Sequence, residues 1–281
     1  TLKQVDTDGK KADIRLKISK DLSPEAYRLT VDADGVSVEA GGPAGAFYAL
    51  QSVRLAIQPQ DKTGIPLMHV ADRPRFGYRG LMVDVSRYFV EKEELMKIID
   101  CMSVLKLNKL HLHLTDDNGW RLEIKKYPRL TSVGAWRVNQ TDRPFPDRRN
   151  PEPGEPTPIG GYYTQEDMKE IIRYAAGRCI EIIPEIDMPG HSNAALAAYP
   201  ELACPSVDKH ICVVPGMGQG SGNIIFCAGN EETFRFLEGV IDEVAELFPS
   251  HYIHLGGDEA WKEYWKKCPR CADRMKQEGI T

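Results

Sequence analysis

Lys109-Leu-His-Leu-His-Leu-Thr-Asp-Asp117 decides how this chain is read. Its first six residues alternate around leucines, as a half-buried strand does, and two adjacent aspartates follow at once. The same grammar recurs on both sides. Leu81-Met-Val-Asp-Val85 runs into Asp84 to Arg87, Glu181-Ile-Ile-Pro-Glu-Ile186 into Asp187 and His191, and Tyr252-Ile-His-Leu-Gly-Gly257 into Asp258-Glu259. Helical patterns separate these strands. Glu91 to Leu105 places Leu95, Ile98, Ile99, Met102 and Leu105 on one face. Thr164, with Asp167 three residues on, approximates a capping box ahead of Met168, Ile171, Ile172 and Ala175. Asn230 caps a run through Phe236, Val240, Val244 and Leu247, and Lys262 to Glu278 is helical with a proline break. Strands alternating with amphipathic helices imply parallel pairing through crossovers. The class is therefore α/β, and a doubly wound sheet and a (β/α)8 TIM-type barrel both fit. In either, functional groups gather past the C-terminal ends of the strands. All four strand ends carry ionisable residues, which points to one shared pocket.

Upstream of Phe76 the composition differs. Ala12 to Ile18 alternates as a strand, and Tyr27 to Asp32 and Val36 to Glu39 flank Ala33-Asp34-Gly35 as a hairpin. Ala44 to Ala56 has helical spacing through Phe47, Leu50, Val53 and Leu55, and Ile65 to Val70 reads as a last strand. We expect a small α+β domain over 1–73 and the strand–helix domain over 74–281, with Asp72 to Arg75 as linker. A closed barrel takes ~250 residues, whereas this second part has about 210 and four βα units, so the chain is expected to supply about the first half of a barrel.

Composition narrows the function classes. Hydrophobic residues at 42% and charged residues at 27% exclude disorder, and a formal charge of −5 argues against nucleic acid as a partner. The cluster Arg143 to Arg149 is interrupted by prolines and aspartates. No apolar run reaches the ~18 residues of a membrane span. Seven cysteines leave at least one outside any disulfide. Cys101 and Cys179 lie in apolar patterns and read as buried thiols. Cys204, Cys212 and Cys227 sit in loop-like sequence compatible with a disulfide. Cys268-Pro-Arg-Cys271 is a C-x-x-C without a second pair, whereas a structural zinc site usually draws on two, so a local disulfide or thiols are favoured and no metal is expected.

Asp258-Glu259 follows an apolar strand and two glycines, which leave room for a ligand. Adjacent carboxylates repel, so one tends to keep its proton, giving one acid and one anion, as glycosidic cleavage needs. The competing reading is a helix N-terminus favoured by acidic side chains. His111 and His113 read as packing histidines inside a barrel; a metal-dependent hydrolase using them is the rival. Trp120 reads as loop packing, and Asp84 and Arg87 as internal ion pairs.

His254-Leu-Gly-Gly-Asp-Glu259 resembles the signature of family 20 glycoside hydrolases, the β-N-acetylhexosaminidases. Pro74-Arg-Phe-Gly-Tyr-Arg-Gly80, Asp84-Val-Ser-Arg87, Lys109 to Asp117 and Glu185-Ile-Asp-Met-Pro-Gly-His191 are similar to further family segments, and Gly45-Ala-Phe-Tyr-Ala-Leu-Gln51 to the helix of its small N-terminal domain. The likeness runs in family order from about residue 20 to the end, and the chain resembles a truncated member. It implies a (β/α)8 barrel, no cofactor, and a terminal N-acetylhexosamine on a glycan as substrate. It implies Glu259 as general acid and base, Asp258 as the residue orienting the 2-acetamido group, Asp116 and His191 in a hydrogen-bonded chain toward them, and Arg79 gripping sugar hydroxyls. The family's later strands, which carry the walls of the acetamido cage, have no match. An open half barrel implies self-association through its edge. Family habit places such enzymes in the periplasm, on the cell surface, in lysosomes or outside the cell.

Overall fold

The computed structural model describes residues 13–57, 64–217 and 224–280, so Ala12, the first residue of the first expected strand, lies outside them. The chain divides into two compact units. The first holds residues up to Gly80 with Ile98–Asn108 and Gly177–Ile180; the second holds Leu81–Lys97, Lys109–Ala176 and the chain from Glu181 on.

The first unit is a four-stranded sheet under one helix. β1 (Ile14–Ile18), β2 (Tyr27–Asp32), β3 (Gly35–Ala40) and β4 (Met68–Asp72) lie in the order β1-β3-β2-β4, and α1 spans Pro43–Ala56. The hairpin forms as read, with Val31 opposite Val36 and Asp32 opposite Gly35. Alternation puts Tyr27, Leu29 and Val31 on one face, where they pack with Val36, Val38, Tyr48, Ala49 and Val53. The buried side of α1 holds Gly45, Ala46, Tyr48, Ala49, Gln51 and Val53, and Leu55, expected inward, is exposed.

Apart from Gly80 and residues 98–104, which belong to the first unit, the second unit is built on β5 (Gly80–Asp84), α2 (Lys92–Val104), β6 (Lys109–His113), the short pair β7 (Thr115–Asp116) and β8 (Gly119–Trp120), α3 (Arg129–Ser132), the pair β9 (Trp136–Arg137) and β10 (Ile159–Gly160), α4 (Gln165–Ala176), β11 (Glu181–Glu185), α5 (Asn193–Ala198), α6 (Glu231–Leu247), α7 (Glu263–Lys267) and α8 (Pro269–Glu278). The main sheet runs β11-β6-β5, and β11 pairs parallel to β6 with Ile183 opposite His111 and Glu185 opposite His113. The expected fourth strand is reduced to one parallel bridge, Glu185 to His254, with the Ile186 amide donating to the His254 carbonyl and the His254 amide to the Pro184 carbonyl. Gly256 and Gly257, both at positive φ, turn the backbone away at that point. The Thr164 box closes reciprocally: Asp167 N–H donates to Thr164 Oγ1 at 3.0 Å and Thr164 N–H to Asp167 Oδ2 at 3.2 Å. Asn230 accepts from the Glu232 amide at 3.1 Å.

Two cysteine expectations fail. Cys101 lies on the outward side of its helix and is exposed, and Cys179 is only half-buried. On β5, Leu81 and Met82 are exposed because no strand covers that edge among the described residues. No described helix is long and apolar enough to cross a membrane.

Candidate active site

The site grows from the pairing of β6 with β11. That register sets His113 beside Glu185, and the turn after β6 brings Asp116 back over the same ring. His113 Nδ1 lies 2.8 Å from Glu185 and its Nε2 lies 2.8 Å from Asp116 Oδ2. All three side chains are buried, and a buried ion pair persists only where its partners are this close. Burial works against the charged ring, but hydrogen bonds to Asp116 and Glu185 outweigh it and raise the His113 pKa to about 10. Burial likewise works against ionised Asp116, yet hydrogen bonds from His113 and His191 and the Arg87 charge hold it at about 2. Arg87 enters through one nitrogen, Nη1, 2.7 Å from Asp116 and 3.1 Å from Asp84.

His191 carries the network outward. Its Nδ1 stands 3.3 Å from Asp116 Oδ1, and its Nε2 stands 3.4 Å from both Asp258 Oδ2 and Glu259 Oε2. The hydrogen bond to Asp116 is the main reason its pKa rises to about 9, so the imidazolium is the charged form near neutrality. His191 has φ 47° and Glu259 has φ 44°, the left-handed region that non-glycine residues rarely occupy. Two such residues facing one another fit the clustering of backbone strain at functional sites. Asp187 supports the second of them. Its Oδ1 accepts from the Gly257 amide at 3.2 Å, and its own amide donates to Thr115 Oγ1 at 2.9 Å. Any side chain at Gly256 would collide with Asp187, since a Cβ there would lie 1.8 Å from Oδ1, so only glycine lets the loop close on the carboxylate. Burial, with the Asp258 charge, raises the Asp187 pKa to about 6. Asp117 rises to about 6 through burial and the Asp116 charge, and its Oδ1 accepts from the Asn193 amide.

Four of the five expected site residues thus converge: Asp116, His191, Asp258 and Glu259. Arg79 has a different role. Its Nη2 donates to Glu25 at 2.7 Å and to the Tyr48 hydroxyl at 3.0 Å, and its other nitrogens donate to the Phe76 and Lys106 carbonyls. All these partners belong to the first unit, so Arg79 is a clamp of that unit and its fork is not free for a sugar. Arg87 is the guanidinium of the carboxylate cluster, and its side chain is 35% exposed. Its position one turn beyond the strand, beside Asp84, was its signal in the sequence.

Arg121 escaped the sequence reading, and His113, read as a histidine of the interior, is buried as expected but does more than pack. His113 is a bridge between two carboxylates, a role that appears only when β11 is laid beside β6. Arg121 is buried and donates to the Val85, Ser86, Asn118, Ala135 and Gly161 carbonyls. It ties together the loops that carry the site, and burial lowers its pKa to about 9. Trp120 packs in the loop as expected, its indole donating to the Leu122 carbonyl at 2.7 Å.

The catalytic-domain model of glycosyl hydrolase family 20 matches residues 76–281, and the model of that family's domain 2 matches residues 1–73. This chain belongs to glycoside hydrolase family 20. A β-hexosaminidase of Porphyromonas gingivalis is 42% identical over 267 residues, which cover 92% of this chain and 32% of that protein. The crystal structure of a β-N-acetylhexosaminidase from Bacteroides fragilis superposes with a TM-score of 0.79 at 40% identity, covering 96% of this chain and 49% of that one. An exo-β-N-acetylglucosaminidase from Vibrio harveyi, solved with N-acetylglucosamine, gives 0.82 at 34% identity over 96% and 41%. The chain spans about a third to a half of the first curated relatives. Its second unit is accordingly part of the family's (β/α)8 barrel, preceded by the family's small domain.

Proposed function

We propose that the chain carries the acid/base apparatus of a β-N-acetylhexosaminidase, an exo-hydrolase of terminal β-linked GlcNAc or GalNAc acting with retention. The observation that supports this most is the meeting of Asp258 and Glu259 on one charged imidazole, 3.4 Å from each. Family 20 enzymes use the substrate's own acetamido group as nucleophile. Glu259 would give its proton to the glycosidic oxygen as the acetamido carbonyl oxygen bonds to the anomeric carbon and the leaving sugar departs. The oxazolinium so formed carries positive charge, which anionic Asp258 would stabilise while holding the acetamido group. Glu259, now a carboxylate, would take a proton from the water that reopens the ring. His191, whose Nε2 makes no hydrogen bond to either carboxylate, would hold both by its charge, and Asp116 would keep it charged. Arg87, rather than Arg79, is the cation placed to bind sugar hydroxyls, because its contacts run through Nη1 alone and its side chain reaches solvent.

The test is turnover of a chromogenic β-GlcNAc glycoside. Glu259→Gln should lower the rate by about 10²–10⁴-fold, the usual share of a general acid, with the fold unchanged and brief EDTA treatment without effect. Equal turnover by the variant would contradict the assignment.

A second reading is favoured by the openness of the site, where the Asp258 and Glu259 side chains are 63% and 77% exposed. Positioning contributes ~7–11 kcal/mol to well-oriented reactions, so these residues without an enclosing cage would bind a sugar and not turn it over. Binding of N-acetylglucosamine by calorimetry with no product would select this reading. The exposed Leu81 and Met82 on β5 support self-association through that edge. Light scattering should then show mass rising with concentration, and Met82→Lys should reduce it.

A further inference from the structure

The four cysteines that the sequence left as a lone pair plus loop thiols converge in the second unit. Cys204, Cys227, Cys268 and Cys271 are all buried, and none is disulfide-bonded. Cys204 and Cys271 sulfurs are 3.8 Å apart, Cys227 and Cys268 3.8 Å, and Cys227 and Cys271 3.7 Å; all four lie within 4.8 Å of one another. A zinc–sulfur bond of about 2.3 Å in a tetrahedron sets its sulfurs about 3.8 Å apart. A disulfide needs about 2.05 Å and would join them in pairs, leaving no reason for a four-way cluster.

The backbone is arranged for the same end. Cys204 and Cys227 flank the antiparallel bridge between Ala203 and Phe226, and the Cys227 amide donates to the Leu202 carbonyl at 2.9 Å. Cys268 occupies the position before α8, and Cys271 lies in its first turn. A Cβ at Gly229 would lie 2.2 Å from the Arg270 carbonyl carbon, so glycine is required for the two cysteine-bearing segments to meet. Val207, Ala228, Tyr264 and Trp265 pack around the cluster.

We infer that Cys204, Cys227, Cys268 and Cys271 form a structural zinc site that ties the segment between α5 and α6 to the start of α8. The four ligands and the apolar cover leave no open position, so the ion has no part in the hydrolysis. Each thiol that coordinates releases its proton, and the ion draws the four sulfurs into one unit. Thiolate tetrahedra select zinc or iron, and the colour of the protein separates the two.

The test is the metal content of the 281-residue chain purified without added metal, measured by plasma mass spectrometry. One zinc per chain is expected, released in step with mercurial titration of thiols. Cys204→Ser and Cys271→Ser should each lose it, whereas Cys101→Ser, at an exposed thiol, should keep it. Should the cluster variants fold poorly, cobalt exchange into the unmodified chain decides: a tetrathiolate site gives intense sulfur-to-cobalt charge-transfer bands. A metal-free chain with four titratable thiols, a chain whose mass shows two disulfides, or a chain carrying iron would each overturn the proposal.

Discussion

The inner and outer halves of the site are built differently. Asp116, His113 and Glu185 are sealed, with side chains at most 7% exposed, and each has at least two charged or ring partners. Asp258 and Glu259 stand in the open, facing the inner half through His191. The inner half comes from two neighbouring strands and one turn, so this chain completes it alone. The outer half lies on a loop at the margin of the sheet, beside the reduced strand at His254. Charge pairing is thus concentrated in the buried residues, while the two outer carboxylates meet solvent.

Breaking the inner half should have the largest effect. Asp116→Ala leaves Arg87, His113 and His191 charges facing one another and should cost about 3–5 kcal/mol in urea denaturation, as removal of one partner of a buried pair does. Arg121→Met should cost about 3 kcal/mol by the same measurement, because several buried carbonyls lose their donor. Glu259→Gln, in the outer half, should leave the urea midpoint unchanged, which separates the halves by stability alone.

A pH series sharpens the contrast. The folded pKa of His191 is raised above its ordinary value of 6.5 to about 9. Its contribution is therefore fully present below pH 6.5 and is lost as pH rises through about 9, on the order of 3 kcal/mol. Asp116 has the opposite sign: its folded pKa is depressed to about 2, so its contribution is present above its ordinary 3.8 and is lost as pH falls through about 2. His191→Gln should reduce the alkaline loss to the part that His113 carries, and should also shrink the acid loss, because His191 is one of the groups that hold Asp116 low.

Arg79→Met should lower the stability of the first unit by about 1–3 kcal/mol and leave sugar binding unchanged, whereas Arg87→Met should weaken binding. The smallest effect is expected at Lys97→Ala, whose partner Glu94 is as exposed as it is; no shift of the thermal midpoint should be measurable.

What was legible in the sequence was local. Alternation marked β6, capping residues marked α4 and α6, and acids after four apolar runs marked the end of the sheet that bears the site. The role of His113 was not legible, because it depends on which strand lies next to β6. Arg79 and Arg87 flank the same strand, and only side-chain direction separates a clamp from a site residue. The cysteine cluster joins segments far apart in the chain, so spacing alone showed one pair where the fold assembles two.

The central claim is that a buried Asp116 keeps His191 charged between the two exposed carboxylates. Histidine ring titration by NMR tests it directly. His191 should titrate near 9 in the unmodified chain and fall toward 6.5 in Asp116→Asn. Titration near 6.5 in both proteins would contradict it.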